Sequence, residues 1–74
     1  MITQLILDEH KRIIQHLVSH RIKSSLSHVQ LAEMIGTSQS TISNIESLKS
    51  FPSLSMLIRY ADAVGARIEI TQED

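Results

Sequence analysis

The chain has no cysteine and no tryptophan, and only one proline, two glycines and two aromatic residues among its 74 positions. Without thiols, neither a disulfide framework nor a thiolate metal site can hold it together. A chain of this length makes one domain, residues 1–74, near the lower size limit for folding without a staple. A small α-helical core, completed by dimerisation, is the remaining route to stability. Two aromatics, Phe51 and Tyr60, are too few to stack a run of bases, so single-stranded nucleic acid is not the expected target. No apolar run approaches the roughly 18 residues of a membrane helix. The stretch Met1–Glu9 lacks the basic region and cleavage site of a secretory leader, and a cytoplasmic location in a prokaryote is expected.

A charge excess is missing too. The formal net charge is −1, which runs against DNA binding, since that rests largely on cationic contacts to phosphates. The distribution softens this objection. Residues 10–60 hold six cations (Lys11, Arg12, Arg21, Lys23, Lys49 and Arg59) against Glu33 and Glu46, a net of +4. Residues 1–9 carry −2 and residues 61–74 carry −3, so a mildly basic body sits between acidic ends. Modest affinity with a moderate salt dependence is the expectation. His10, His16, His20 and His28 also fall in the basic span. His16 and His20 are one helical turn apart, but no third ligand accompanies them, and no metal is expected. Nor is there a nucleophile–base constellation, a glycine-rich phosphate loop or an acid pair, so neither enzymatic activity nor a cofactor is expected.

What the chain does have is concentrated in residues 26–46. Ser27 is a natural N-cap and Gln30 completes a capping box, so a helix starts there. Leu31, Ala32 and Ile35 form its buried face, and Ala32 is small where two steeply crossing helices must approach closely. Gly36 ends the helix, because glycine takes the left-handed C′ conformation without steric cost. Thr37 and Ser38 can cap a second helix whose apolar positions are Ile42 and Ile45. The pattern describes a helix-turn-helix. Its second helix presents Gln39, Ser40, Ser43 and Asn44, side chains suited to hydrogen-bonding base edges.

Around this motif, Ile13, Ile14, Leu17, Val18 and Ile22 recur at helical spacing, and Asp8 and Glu9 suit a helix start. Residues 2–7 fit either an earlier start of that helix or an extended arm. Pro52 forces Phe51 out of the helical region, and Ser53 caps a last helix carrying Leu54, Leu57, Ile58, Ala61 and Val64 before Gly65. Helices are thus expected over about residues 8–23, 28–35, 39–47 and 54–64. From Ala66 to Thr71 the period changes to two, with Ile68 and Ile70 on one side, which reads as a β-strand. A strand needs a partner. Residues 3–7 of the same chain could supply it, or the same strand of a second copy, and the second option is preferred because antiparallel pairing about a two-fold axis buries Ile68 and Ile70 from both subunits. The expected fold class is therefore all-α, with four helices and one C-terminal β-strand pairing across a homodimer.

Residues Leu31-Ala32, Gly36, Ser38 to Ser43 and Ile45-Glu46, followed by Pro52-Ser53-Leu54 and Leu57, resemble the Cro/repressor-type (XRE family) helix-turn-helix proteins. The resemblance covers roughly residues 12–65. It implies a first-helix arginine, here Arg21, paired with the glutamate that ends the recognition helix, here Glu46. One position departs from it, since the family's usual Gln directly after the first cap is His28 in this chain. The ending is similar to the antitoxins of bacterial toxin–antitoxin pairs, both those of the Hig type and those that counter Hip-type kinase toxins. Thr41-Ile42-Ser43-Asn44 and the Gly65–Ile70 strand resemble the Hip-type antitoxins in particular, which implies a Hip-type kinase as the toxin partner.

The resemblance implies a sequence-specific transcriptional repressor that reads palindromic half-sites of double-stranded DNA, regulates its own operon and binds a cognate toxin. In that role it works at the bacterial nucleoid. In a helix-turn-helix the second helix enters the major groove, which makes Gln39, Ser40, Ser43 and Asn44 the base-reading candidates. His28, Ser38, Thr41 and Lys49 are the phosphate candidates, with Arg12 and Lys23 behind them. A module that neutralises a protein partner while binding DNA weakly fits the low net charge. A phage repressor or a restriction–modification controller fits the motif equally.

Overall fold

The computed structural model describes residues 1–72, and in it four helices follow in order: α1 (Ile2–Lys23), α2 (His28–Ile35), α3 (Gln39–Glu46) and α4 (Leu54–Ala63). The choice left open at residues 2–7 falls to the helix, since α1 runs unbroken from Ile2. Its start has no side-chain cap. The first turns are held by their own backbone, with the Leu5 amide donating to the Met1 carbonyl at 3.0 Å, and by Gln4 Nε2 donating to Asp8 Oδ1 at 2.8 Å.

The other three helices start on serine. In the capping box of α2, the Gln30 amide donates to Ser27 Oγ at 3.1 Å and the Ser27 amide donates to Gln30 Oε1 at 2.9 Å. Ser38 Oγ accepts the Thr41 amide and Ser53 Oγ accepts the Met56 amide, both at 3.1 Å. Each helix ends on a left-handed residue: Ser25 (φ +58°), Gly36 (+73°), Leu48 (+64°) and Gly65 (+75°). The following amide turns back into the helix in every case, as Leu26 to Arg21 O at 3.2 Å and Lys49 to Asn44 O at 2.9 Å. These are the bonds of a Schellman ending. Glycine is the economical residue there, and a leucine at positive φ is uncommon.

The core lies where the motif meets its flanking helices. Leu31, Ala32 and Ile35 of α2 and Ile42 and Ile45 of α3 are buried together with Ile14 and Leu17 of α1 and Tyr60, Ala61 and Val64 around α4. Helix α2 packs on α3 and α4, and α1 packs on α3. The ring of His10 stacks on Phe51 with centroids 4.2 Å apart, which fastens the α3–α4 loop to α1.

The expected C-terminal strand is not there. Among the described residues there is no β-strand, and residues 66–72 carry no regular secondary structure. The fold is all-α. The physical reason is the lack of a partner edge: residues 3–7 are coiled into α1, so their backbone groups are already used. Ala66 still packs against the core, but Ile68 is 40% exposed and Ile70 98% exposed, so neither side chain lies in a strand interface. Alternating side chains say which way a segment would face. They do not provide the neighbouring backbone that makes it a strand.

Candidate nucleic-acid interface

Helix α3 divides cleanly by face. Ile42 and Ile45 are fully buried, whereas Gln39, Ser40, Ser43 and Asn44 are all exposed. These four form two pairs spaced by four, Gln39 with Ser43 and Ser40 with Asn44, so they make a contiguous polar patch over the first turns of the helix. At the entrance to α3, Ser38 Oγ and Thr41 Oγ1 share a hydrogen bond of 2.8 Å, next to the free backbone amides of the first turn. Lys49 is exposed just beyond the other end, its backbone amide tied to Asn44 O. Two other cations are committed. Arg12 lies on Glu9, with Nη2 to Oε1 at 2.8 Å, and Arg59 Nη1 donates to Ile35 O at 3.1 Å, closing the end of α2.

Behind the patch sits a polar cluster on Glu46. Arg21 approaches its carboxylate with two bonds, Nε to Oε2 at 2.7 Å and Nη2 to Oε1 at 3.1 Å. This is the bidentate geometry that guanidinium and carboxylate planes favour. The Tyr60 hydroxyl donates to Oε2 at 2.6 Å, and His28 Nε2 lies 2.9 Å from Oε1. Because a carboxylate only accepts, His28 carries its proton on Nε2 in this contact. Arg21 Nη1 also donates to Leu26 O at 2.8 Å, bracing the α1–α2 turn. The side chains of Arg21 and Glu46 are 15% and 10% exposed, so water screens the pair weakly.

Burial alone would raise the pKa of Glu46, but the hydrogen bonds from Arg21, Tyr60 and His28 outweigh it and hold the carboxyl below its ordinary value. Burial first, and then the adjacent carboxylate, push the Tyr60 phenol well above its ordinary range. The hydrogen bond to Glu46 raises the Arg21 guanidinium further still. The cluster is therefore an ionised pair with a neutral phenol at neutral pH.

The structure brings Arg21, Glu46 and His28 together and spreads the remaining candidates over the α3 surface. Ile68 and Ile70 stand apart on the tail. Tyr60 was not among the candidates, although its position in the apolar stripe of α4 carries the signal: a tyrosine at a core position needs a partner for its hydroxyl. Arg59 was also missed, because a cation capping another helix's carbonyl leaves no trace in the spacing.

Two short helices joined at a left-handed glycine, the second offering a polar face, define the helix-turn-helix class of DNA-binding domains. A helix-turn-helix family profile matches residues 19–70, and the chain belongs to that family. It is 38% identical over 66 residues to the antitoxin HigA1 of Mycobacterium tuberculosis, in both strain CDC 1551 / Oshkosh and strain H37Rv. The match takes in 89% of this chain and 44% of each relative, so the chain spans less than half the length of the curated relatives it matches. No solved structure matches the chain significantly. No helix among the described residues is long and apolar enough to cross a membrane.

Proposed function

We propose that the protein is a sequence-specific repressor of double-stranded DNA that serves as the antitoxin and autoregulator of a toxin–antitoxin operon. The carrying observation is the exposed row Gln39, Ser40, Ser43 and Asn44 on a helix whose opposite face is buried and whose last residue is tied to three other helices. Gln39 reads adenine through N6 and N7, and Asn44 does the same one turn on. Ser38, Thr41 and Lys49 take phosphates, together with His28, whose side chain stays one-third exposed. A homodimer reads two half-sites about 34–36 Å apart. Similarity to HigA1 antitoxins supports a toxin partner of the Hig type in preference to a Hip-type kinase. The protein works in the bacterial cytoplasm, without a cofactor and without catalysis.

The test is fluorescence anisotropy on the DNA upstream of the gene and on scrambled DNA, at about 150 mM salt. Gln39→Ala is expected to cost roughly 1–3 kcal/mol on the upstream site and little on scrambled DNA, whereas Lys49→Ala weakens both alike. Equal losses on both DNAs for Gln39→Ala would overturn base reading. The low net charge and the engagement of His28 by Glu46 favour a second reading, a toxin-neutralising module with weak DNA binding. Weak, sequence-indifferent binding by the parent protein would select it.

A further inference from the structure

His28 has two ring nitrogens, and the fold commits one of them. Nε2 lies 2.9 Å from Glu46 Oε1, so it carries a proton there. Glu46 is the only hydrogen-bond partner of this ring among the described residues, and a third of the side chain stays exposed. A neutral imidazole has one donor and one acceptor, which leaves Nδ1 with a lone pair. A phosphate oxygen is an acceptor as well, so the two cannot bond. Moving the proton to Nδ1 does not help, because Nε2 would then set its own lone pair against the carboxylate at hydrogen-bond distance. The neutral ring can serve Glu46 or a phosphate, but not both. The imidazolium donates from both nitrogens.

We propose that His28 holds a DNA phosphate only as the imidazolium, so that DNA binding takes up a proton at this residue and tightens as the pH falls. The proposal rests on the repressor reading above and assigns a protonation state to one of its phosphate contacts. The groups around the ring come from the three other helices. Arg21 of α1 and Tyr60 of α4 donate to the same carboxylate, that of Glu46 at the end of α3. The lowered Glu46 carboxyl and the raised Tyr60 phenol and Arg21 guanidinium keep these three in one charge state across neutral pH. An imidazole changes its charge between about pH 5 and 8, so His28 is the member of the cluster that responds. Charge balance gives the direction. Arg21 already neutralises Glu46, so a positive His28 leaves the cluster with an unbalanced positive charge. A phosphate at the exposed edge of the ring supplies the missing negative charge.

Fluorescence anisotropy on the DNA upstream of the gene, taken from about pH 6 to about pH 8, tests this on the parent and on His28→Gln. Glutamine does not titrate, and its amide donates at every pH. Circular dichroism of both proteins at each pH is the folding control. The parent's Kd is expected to fall by up to about tenfold per pH unit for each copy bound as the pH drops. Its salt slope is expected to steepen by about 0.9 per copy, since one more phosphate is neutralised. His28→Gln is expected to lose both increments and to bind at the alkaline end at least as tightly as the parent. His10, His16 and His20 are present in both proteins, so their titration cancels in the comparison. The same pH and salt dependence in the two proteins would overturn the proton uptake and leave the repressor reading standing. No binding of the upstream DNA by either protein at any pH would overturn both.

Discussion

Helix α1 is continuous in its backbone and divided in its surroundings. From Met1 to Glu9 every side chain is exposed, no side chain caps the start, and the helix is held by its own ladder and by the local Gln4–Asp8 and Glu9–Arg12 side-chain bonds. From Ile14 to Lys23 the same helix buries Ile14 and Leu17, sends Arg21 to Glu46 and Leu26, and is braced at its end by Ser24 Oγ donating to Val64 O at 3.3 Å. The contrast separates two reasons for being helical. The second half is fixed by tertiary contacts within the chain, while the first half has local bonds alone, which rarely suffice for a few turns in water.

The largest expected effect breaks the anchored half. Glu46→Ala leaves the Arg21 guanidinium and the Tyr60 hydroxyl partly buried without their acceptor. It is expected to cost about 3–5 kcal/mol and to lower the thermal midpoint by more than about 10 °C. Gln4→Ala in the exposed half is expected to move stability by less than about 0.5 kcal/mol. Similar losses from the two variants would erase the distinction.

An acid titration sharpens it. The Glu46 carboxyl has its pKa lowered from an ordinary value of 4.5, so its ionised form stabilises the fold above that value. That contribution is lost as pH falls through the depressed folded value. Chemical denaturation taken downward from neutral pH is expected to show this acid limb in the parent, and a smaller one in Glu46→Gln. An unchanged limb in Glu46→Gln would mean that other carboxyls carry it.

Effects of intermediate size concern the helix ends. A Cβ at Gly36 would meet nothing within 4 Å, so Gly36→Ala costs backbone strain alone, about 1–2 kcal/mol. Leu48 has a similar left-handed φ with a side chain already in place, so Leu48→Gly is expected to gain up to about 1 kcal/mol. Thermal melts of the two variants should therefore move in opposite directions.

How much of this was legible follows the same physics. The capping box at Ser27 and Gln30, the stop at Gly36 and the inward isoleucines of α3 are local signals, and each could be read from a few residues. The left-handed Ser25 and Leu48 were not legible, because nothing in their chemistry announces a positive φ. The first turns of α1 stayed ambiguous because the apolar run 2–7 fits both periods. The tail was misread for a related reason, since its alternation is real but no backbone edge lies within reach. On the candidate interface, the Arg21–Glu46 pair was implied by the resemblance to the Cro/repressor-type family and not by spacing, while the contributions of Tyr60 and His28 depend on distances that only the folded chain creates.

The cluster on Glu46 has a consequence for how the domain comes apart. One carboxylate at the end of α3 receives Arg21 from α1, His28 from α2 and Tyr60 from α4, so each of the four helices has a polar contact at the same point. None of the anchored segments can swing away without stranding a partly buried donor or acceptor. Local opening at this point is therefore expected to cost nearly as much as complete unfolding, which keeps α3 in a single orientation.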